Sequence, residues 1–131
     1  MNFVIPFPPH SGNHQHGARG AQRFMSPEMR TWRNAVQRKI DEERKAYGGE
    51  YRLENGRYRV VMIVAVPDAR RRDLDNVAKV VLDAVSDQKG KYALPILGAI
   101  DDDCRVDELN IHRVAVMKGS GHVAVEIERI G

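Results

Sequence analysis

Apolar residues recur along the first third of the chain with a spacing that predicts a helix. Ser26 is a suitable N-cap and Pro27 a suitable first helical residue. Beyond them, apolar side chains recur every three or four residues, at Met29, Trp32, Val36 and Ile40. This spacing places them on one face, so we expect an amphipathic helix that continues to about Ala46. Trp32 lies on this face, which favours a core position over a role as a base-stacking platform.

Three further segments have the patterns of strands or loops. Arg57 to Val66 gives the strongest strand prediction, and its second half is apolar on both faces. We therefore expect a central strand that is covered on both sides. Phe3 to Phe7 predicts a short strand that stops at Pro8 and Pro9. Residues 10–25 are rich in Gly, His and Arg without a period, and they predict a loop.

The second half of the chain predicts one more helix and a hairpin. Asn76 to Ser86 has helical periodicity, with Asp73 or Asp75 as its N-cap. Residues 111–117 and 122–130 alternate around Gly119-Ser120-Gly121, which is typical of a β-hairpin. Together these elements predict a small α/β (α+β) domain with a mixed sheet and two main helices, formed by residues 1–131 as one domain.

Composition excludes several classes of protein. The longest unbroken apolar run, residues 60–66, is too short for a membrane-spanning helix. Residues 1–6 lack the basic flank and the apolar stretch of a signal peptide. The single cysteine, Cys104, excludes an internal disulfide framework and a Cys-based zinc site. We therefore expect a cytoplasmic protein that does not bind membranes.

Charge is divided unevenly along the chain. Residues 1–72 carry 14 Lys and Arg against 7 Asp and Glu, a net charge of +7, and residues 73–131 carry 7 against 11, a net charge of −4. This division favours a basic surface for a polyanion beside an acidic cluster. Placement of charges for solubility is an equal alternative on charge alone. Basic side chains fall off the apolar face of the first helix and are expected to face outward, namely Arg30, Arg33, Arg38 and Lys39.

Residues 70–79, Arg-Arg-Arg-Asp-Leu-Asp-Asn-Val-Ala-Lys, lead from the predicted central strand into the second helix. In extended backbone Asp73 and Asp75 point the same way, and Lys79 lies on the same helical face as Asp75. Two carboxylates and an ammonium suit phosphoryl chemistry, because the carboxylates hold Mg²⁺ while the ammonium offsets charge on the phosphate. An Asp cap with an ordinary Asp–Lys pair on a solvated helix is the alternative.

A second acidic cluster, Asp101-Asp102-Asp103, follows Ile100. Adjacent carboxylates repel one another unless they are solvated or share a cation. Mg²⁺ is commonly held by a few carboxylates from separate segments, so one residue of this triplet is a candidate third ligand beside Asp73 and Asp75. An exposed loop tip rich in Asp is the commoner explanation of such a triplet.

The 70–79 stretch, followed later by an apolar residue and Asp-Asp, resembles the RusA family of Holliday junction resolvases. Two other segments, Ile5-Pro6-Phe7-Pro8-Pro9 and Arg23-Phe24-Met25-Ser26, are also similar to that family. The resemblance implies a homodimeric, Mg²⁺-dependent endonuclease, with Mn²⁺ as a substitute ion, that cuts four-way DNA junctions by paired symmetric hydrolysis in recombination and repair. It also implies that Asp73, Asp75 and Asp102 bind the metal and that Lys79 is essential, although the triplet permits a shift of one residue.

The arginines would contact the phosphates of branched DNA, with the strongest candidates at Arg70, Arg71 and Arg72 and further ones at Arg23, Arg30 and Arg33. Two alternative functions stay open on the sequence. One is a metal-dependent nuclease for other branched DNA or RNA. The other is a non-catalytic DNA-binding module whose acidic residues only cap a helix.

Overall fold

A computed structural model describes residues 1–9, 16–19, 22–47, 53–87 and 97–131 of the chain. In chain order the elements are β1 (Asn2–Pro6), β2 (His16–Arg19), β3 (Gln22–Met25), α1 (Pro27–Ala46), β4 (Tyr58–Val66), α2 (Leu74–Val85), a 3₁₀ turn (Asp103–Arg105), β5 (Val106–Val116) and β6 (His122–Arg129). Neither described helix is both long enough and apolar enough to cross a membrane.

Helix α1 begins and packs as its sequence predicts. The Met29 N–H donates to Ser26 Oγ at 3.2 Å, which caps the first turn. The apolar face is buried at Met29, Trp32, Val36 and Ile40. The Trp32 Nε1–H donates to the Pro6 carbonyl oxygen at 2.7 Å, so α1 is fixed directly to β1. Trp32 is therefore a core residue, as predicted.

The strands β1, β6, β4 and β5 form one mixed sheet in that order. Strand β4 pairs parallel with β5 and antiparallel with β6. Side chains of both helices and of the sheet form one apolar cluster. In β4 this cluster takes alternate residues, namely Tyr58, Val60, Met62 and Val64. The expectation of a small α+β domain with a mixed sheet and two main helices is confirmed.

Strand β4 is central, and the prediction that it is covered on both sides is confirmed only in part: on the second face Ala65 is buried. Val61 and Ile63, which alternate with its buried residues, are only half-buried. Apolar side chains on both faces of a strand therefore do not require complete cover on both faces of the sheet. Among the described elements, the two helices are enough to cover one face of the sheet.

The predicted hairpin of the last two strands is wrong. Strand β5 begins at Val106 rather than Ile111, and β4 lies between β5 and β6. The connection crosses the end of β4, where the Met117 N–H donates to the Val66 oxygen at 2.7 Å and the Gly119 N–H to the Pro67 oxygen at 3.1 Å. The alternation of apolar and polar residues predicts that a segment is a strand, but it does not predict which strand pairs with it. In this sheet the most apolar strand, β4, takes a central position.

The segment predicted as a loop contains a two-stranded antiparallel sheet. Strands β2 and β3 pair from His16 with Met25 to Arg19 with Gln22. The Gly- and His-rich composition has no strand period, which explains why the pattern predicted only a loop.

Candidate active site

A cavity of about 710 Å³ opens where β4 leads into α2. Three segments that are distant in sequence form its walls: residues 6–9 at the end of β1, residues 70–73 with the start of α2, and the turn 119–121. The proline-rich motif at the N-terminus and the arginine–aspartate motif therefore meet at one place. The ends of strands that lead into helices are common positions for functional groups.

The turn between β5 and β6 packs closely on the exit from β4. A Cβ atom at Gly121 would lie 2.6 Å from both the nitrogen and the Cδ of Pro67, a distance that side chains do not tolerate. The neighbouring Gly119 has a φ of 76°, which favours glycine. These two glycines allow the turn to form one wall of the cavity.

The three arginines at the cavity have different roles. Arg72 has a side chain only 16% exposed; it pairs with Asp68 at 2.7 Å and lies 5.1 Å from the centre of the Phe7 ring. Arg70 pairs with the same carboxylate at 3.1 Å but is 80% exposed. Arg71 is also exposed. Arg72 therefore joins the β4 exit to the N-terminal wall, whereas Arg70 and Arg71 present their charge to solvent.

Hydrogen bonds from the guanidinium of Arg72, and then from that of Arg70, hold the pKa of Asp68 well below its usual range. Since the pKa is lower in the folded than in the unfolded chain, the charged carboxylate stabilises the fold above the unfolded value of about 3.9. This stabilisation is lost as the pH falls toward the lower, folded value.

We predict that Asp68→Asn lowers the free energy of unfolding at pH 7. The difference from the wild type should shrink as the pH falls below about 4, because the carboxylate is then protonated in the unfolded wild type while it is still charged in the folded one. Urea unfolding midpoints of both proteins at pH 7, 4 and 2.5 measure this. A difference that grows on acidification would contradict the role given to Asp68.

The acidic residues of the 70–79 stretch lie at the start of α2. Asp73 is the N-cap in extended backbone; it lines the cavity, and its side chain makes no capping hydrogen bond. Asp75 lies in the first turn, and both carboxylates are exposed. Lys79 is exposed one turn further along. Both carboxylates therefore remain accessible as ligands, and a purely capping role for Asp73 has no support in these contacts.

The residues of the acidic triplet differ from one another. The Asp101 carboxylate accepts hydrogen bonds from the Tyr58 hydroxyl at 3.1 Å and the Asn55 N–H at 3.0 Å, and it pairs with Arg105 at 3.2 Å. Asp101 thus holds neighbouring segments together. Asp102 is exposed and caps the 3₁₀ turn.

Asp103 faces further negative charge. Loss of surrounding water raises the pKa of Asp103, and the nearby Asp102 and Asp83 carboxylates raise it further. Asp83 was not among the predicted site residues. Its sequence signal is regular spacing, since Asp75, Lys79 and Asp83 are four residues apart and share one face of α2.

Within one chain, the predicted metal ligands do not lie together. Asp73 and Asp75 follow the carboxyl end of β4, whereas Asp102 precedes the amino end of β5. Because β4 and β5 are parallel, with Tyr58 opposite Val106, these are opposite ends of a strand pair. Among the described residues, no three His, Cys, Asp or Glu side chains are placed to hold a metal ion.

Three arginines of α1 and β3 were predicted to contact DNA, and the result differs for each of them. Arg30 is exposed, as expected. The expectation that Arg33 faces outward is wrong: it is half-buried, and loss of water lowers its pKa while the Asp83 charge opposes that shift. Contact between α1 and α2 accounts for this position. The Arg23 side chain lies outside the described part of the structure.

Comparisons with known proteins match nearly the whole chain. A family model described as "Endodeoxyribonuclease RusA" matches residues 6–128. The crossover junction endodeoxyribonuclease rusA of Enterobacteria phage HK97 is 32% identical over 128 residues, which cover 98% of this chain and 93% of that protein.

Proposed function

Since the chain belongs to the RusA family of crossover junction endodeoxyribonucleases, we propose that it resolves four-way DNA junctions by Mg²⁺-dependent, paired and symmetric hydrolysis of phosphodiester bonds. The observation that carries this proposal is the cavity at the start of α2. There, the exposed carboxylate of Asp73 lines the cavity with Arg70 and Arg71, and the exposed carboxylate of Asp75 follows in the first turn of α2. Cationic side chains attract the DNA backbone, and paired carboxylates suit a divalent cation.

Metal binding is the finer part of the proposal. Asp73 and Asp75 fit as oxygen donors because they are exposed and the Asp73 carboxylate makes no capping bond. A bound divalent cation lowers the pKa of water and offsets phosphate charge, and Mn²⁺ is a suitable substitute for Mg²⁺. Asp102, the proposed third ligand, does not fit within one chain, because it lies at the other end of the β4–β5 pair.

Lys79 is the proposed cation of the reaction. Its exposed ammonium lies one helical turn from Asp75, on the same face of α2. In that place it would offset the negative charge that develops on the phosphate or on the departing oxygen. It would do so without blocking the carboxylates.

A homodimer follows from the proposed substrate. A four-way junction contains two equivalent cleavage points related by a two-fold axis. A symmetric dimer presents two equivalent sites with the same symmetry. We therefore propose that the protein acts on branched DNA as a homodimer.

A comparison of substrates tests the function. Equal amounts of a four-way junction, a flap, a linear duplex and a structured RNA are incubated with the protein and Mg²⁺. We expect cleavage of the junction at a rate far above that of the other three. Equal cleavage of the flap or the RNA would instead favour a broader metal nuclease. Binding without any cleavage would favour a non-catalytic module.

We predict that Arg71→Gln weakens junction binding in a salt-dependent manner. One lost phosphate contact should reduce the slope of log affinity against log salt by about 0.9. Arg38→Gln is the matched control, because it removes an exposed positive charge from α1, away from the cavity. Fluorescence anisotropy between about 50 and 200 mM salt measures both slopes. Equal slopes for the two variants would show that Arg71 makes no phosphate contact.

A further inference from the structure

The lining of the cavity at the start of α2 has an apolar and a polar part. Phe7, Pro67 and Val77 belong to the apolar part. Asn76 and Ser120 belong to the polar part, together with the charged residues named above. A phosphate group is bound by cations and hydrogen-bond donors, so the apolar part would add nothing to its binding. A cavity of about 710 Å³ with apolar lining and a few polar groups is instead typical of sites for organic ligands.

Three contacts within the protein fix the walls of this cavity to one another. The Phe7 N–H donates to the Gly121 oxygen at 3.0 Å, which joins the N-terminal segment to the turn. The bond from the Gly119 N–H to the Pro67 oxygen joins the turn to the exit of β4. The guanidinium of Arg72 lies over the Phe7 ring. The cavity therefore holds its shape through its own contacts, which lowers the cost of binding a ligand.

Asn76 lines the cavity with a side-chain amide that is available to a ligand. It is half-buried in the first turn of α2, and no described residue forms a hydrogen bond with this amide. An amide presents a donor and an acceptor side by side, which matches the donors and acceptors on the edge of a nucleobase. Asp73 lines the same cavity, so a ligand bound there would lie next to the proposed metal ligands.

We propose that this cavity takes up one unstacked nucleobase of the junction, from a nucleotide beside the bond that is cut. The proposal rests on the proposed function and adds a site for one base to it. Bases stack on aromatic and apolar side chains, and their edges form hydrogen bonds with polar ones. Removing a base from a duplex costs free energy, and the cost is least where pairing is already disturbed. The branch point of a junction is such a place, so base uptake would favour cleavage there over cleavage of a linear duplex.

A fluorescent base tests the uptake without any cleavage. The analogue 2-aminopurine, whose fluorescence rises when it leaves the base stack, replaces each nucleotide near the branch point in turn. Each junction is mixed with the wild-type protein in the presence of a chelator, so that no strand is cut. We expect the fluorescence to rise at one position in each of two opposing strands. These positions should lie beside the bonds that are cut when Mg²⁺ is added.

Filling the cavity should prevent the uptake. Ser120 is exposed in the turn and lines the cavity, so Ser120→Trp places a large ring in the space for the base. We expect the rise in fluorescence to be lost and cleavage to slow by about 10- to 100-fold, because the nucleotide beside the cut is misplaced. Junction affinity should stay near that of the wild type, since the phosphate contacts remain. Met117→Trp is the control, because Met117 is 43% exposed in the same turn but does not line the cavity.

A missing base and a missing amide provide tests that do not depend on the tryptophan variant. An abasic nucleotide at the responding position should slow cleavage by the wild type. It should cause no further loss in Ser120→Trp, because both changes remove the same interaction. Asn76→Ala should bring the cleavage rates for the four natural bases at that position closer together, since the amide no longer distinguishes their edges. A merely structural role of Asn76 would lower all four rates by the same factor.

The outcomes separate base uptake from the proposed function. If the wild type cuts junctions but the fluorescence rises at no position, or if Ser120→Trp keeps the rise, base uptake is wrong. If Ser120→Trp weakens junction binding as much as it slows cleavage, the cavity binds phosphates and base uptake is again wrong. If the fluorescence rises as expected but nothing is cut with Mg²⁺ or Mn²⁺, only the proposed function fails. A wild-type protein that does not bind the junction would contradict both.

Discussion

Asp75→Asn should reduce the rate of junction cleavage by at least about two orders of magnitude while leaving junction binding intact. The change keeps the size of the side chain but removes the negative charge that we propose holds the metal. Asp75 is exposed in the first turn of α2, so the fold does not depend on its contacts. Removing an anion from a DNA-binding surface should preserve or slightly strengthen binding.

The measurement uses single-turnover cleavage and fluorescence anisotropy on the same labelled junction. Glu42→Gln is the control, because it neutralises an exposed carboxylate on α1. It should cleave at the wild-type rate. If Asp75→Asn lost binding and cleavage equally while remaining folded, or cleaved at the wild-type rate, Asp75 would not be a metal ligand.

Trp32→Ala should lower the free energy of unfolding by about 3–5 kcal/mol, the largest stability effect that we expect of a single change. Trp32 is 4% exposed within the core and also donates a hydrogen bond to the Pro6 oxygen. A domain of this size has a total stability of about 5–15 kcal/mol, so this loss is a large part of it. Because Pro6 begins one wall of the cavity, DNA binding should weaken too.

Trp32→Phe separates packing from hydrogen bonding at this position. The phenyl ring retains most of the apolar contact but has no N–H, so the cost should be nearer 1–2 kcal/mol. Urea unfolding of the wild type and both variants gives the two differences. Equal, small losses in Trp32→Ala and Trp32→Phe would show that the indole contributes little to the core.

The elements with a strong local period were predictable from the sequence. Helix α1 shows its cap and apolar face in the spacing of Ser26 and Trp32, and β4 shows its central position in an unbroken apolar run. Each of these signals lies within one element. These local signals did not predict which strands pair. Strands β5 and β6 were expected to be neighbours because a short glycine-rich turn joins them, yet β4 lies between them.

The site was predictable in part for the same reason. Asp73, Asp75 and Lys79 share one short segment, and the structure leaves all three exposed, the carboxylates at the start of α2 and the ammonium one turn further along. Arg33 looked solvated because helical periodicity defines one buried face, but α2 contacts α1 from the side. The position of Asp102 depends on the parallel pairing of β4 with β5. No local pattern contains that information.

Mapping the cuts on a mobile four-way junction tests the central claim most directly. Each of the four strands is end-labelled in turn, and the products formed with Mg²⁺ are sized at nucleotide resolution. We predict nicks at symmetric positions in two opposing strands, lost when a chelator removes the metal and restored by Mn²⁺. Unpaired cuts, or cleavage that persists with chelator, would contradict metal-dependent junction resolution.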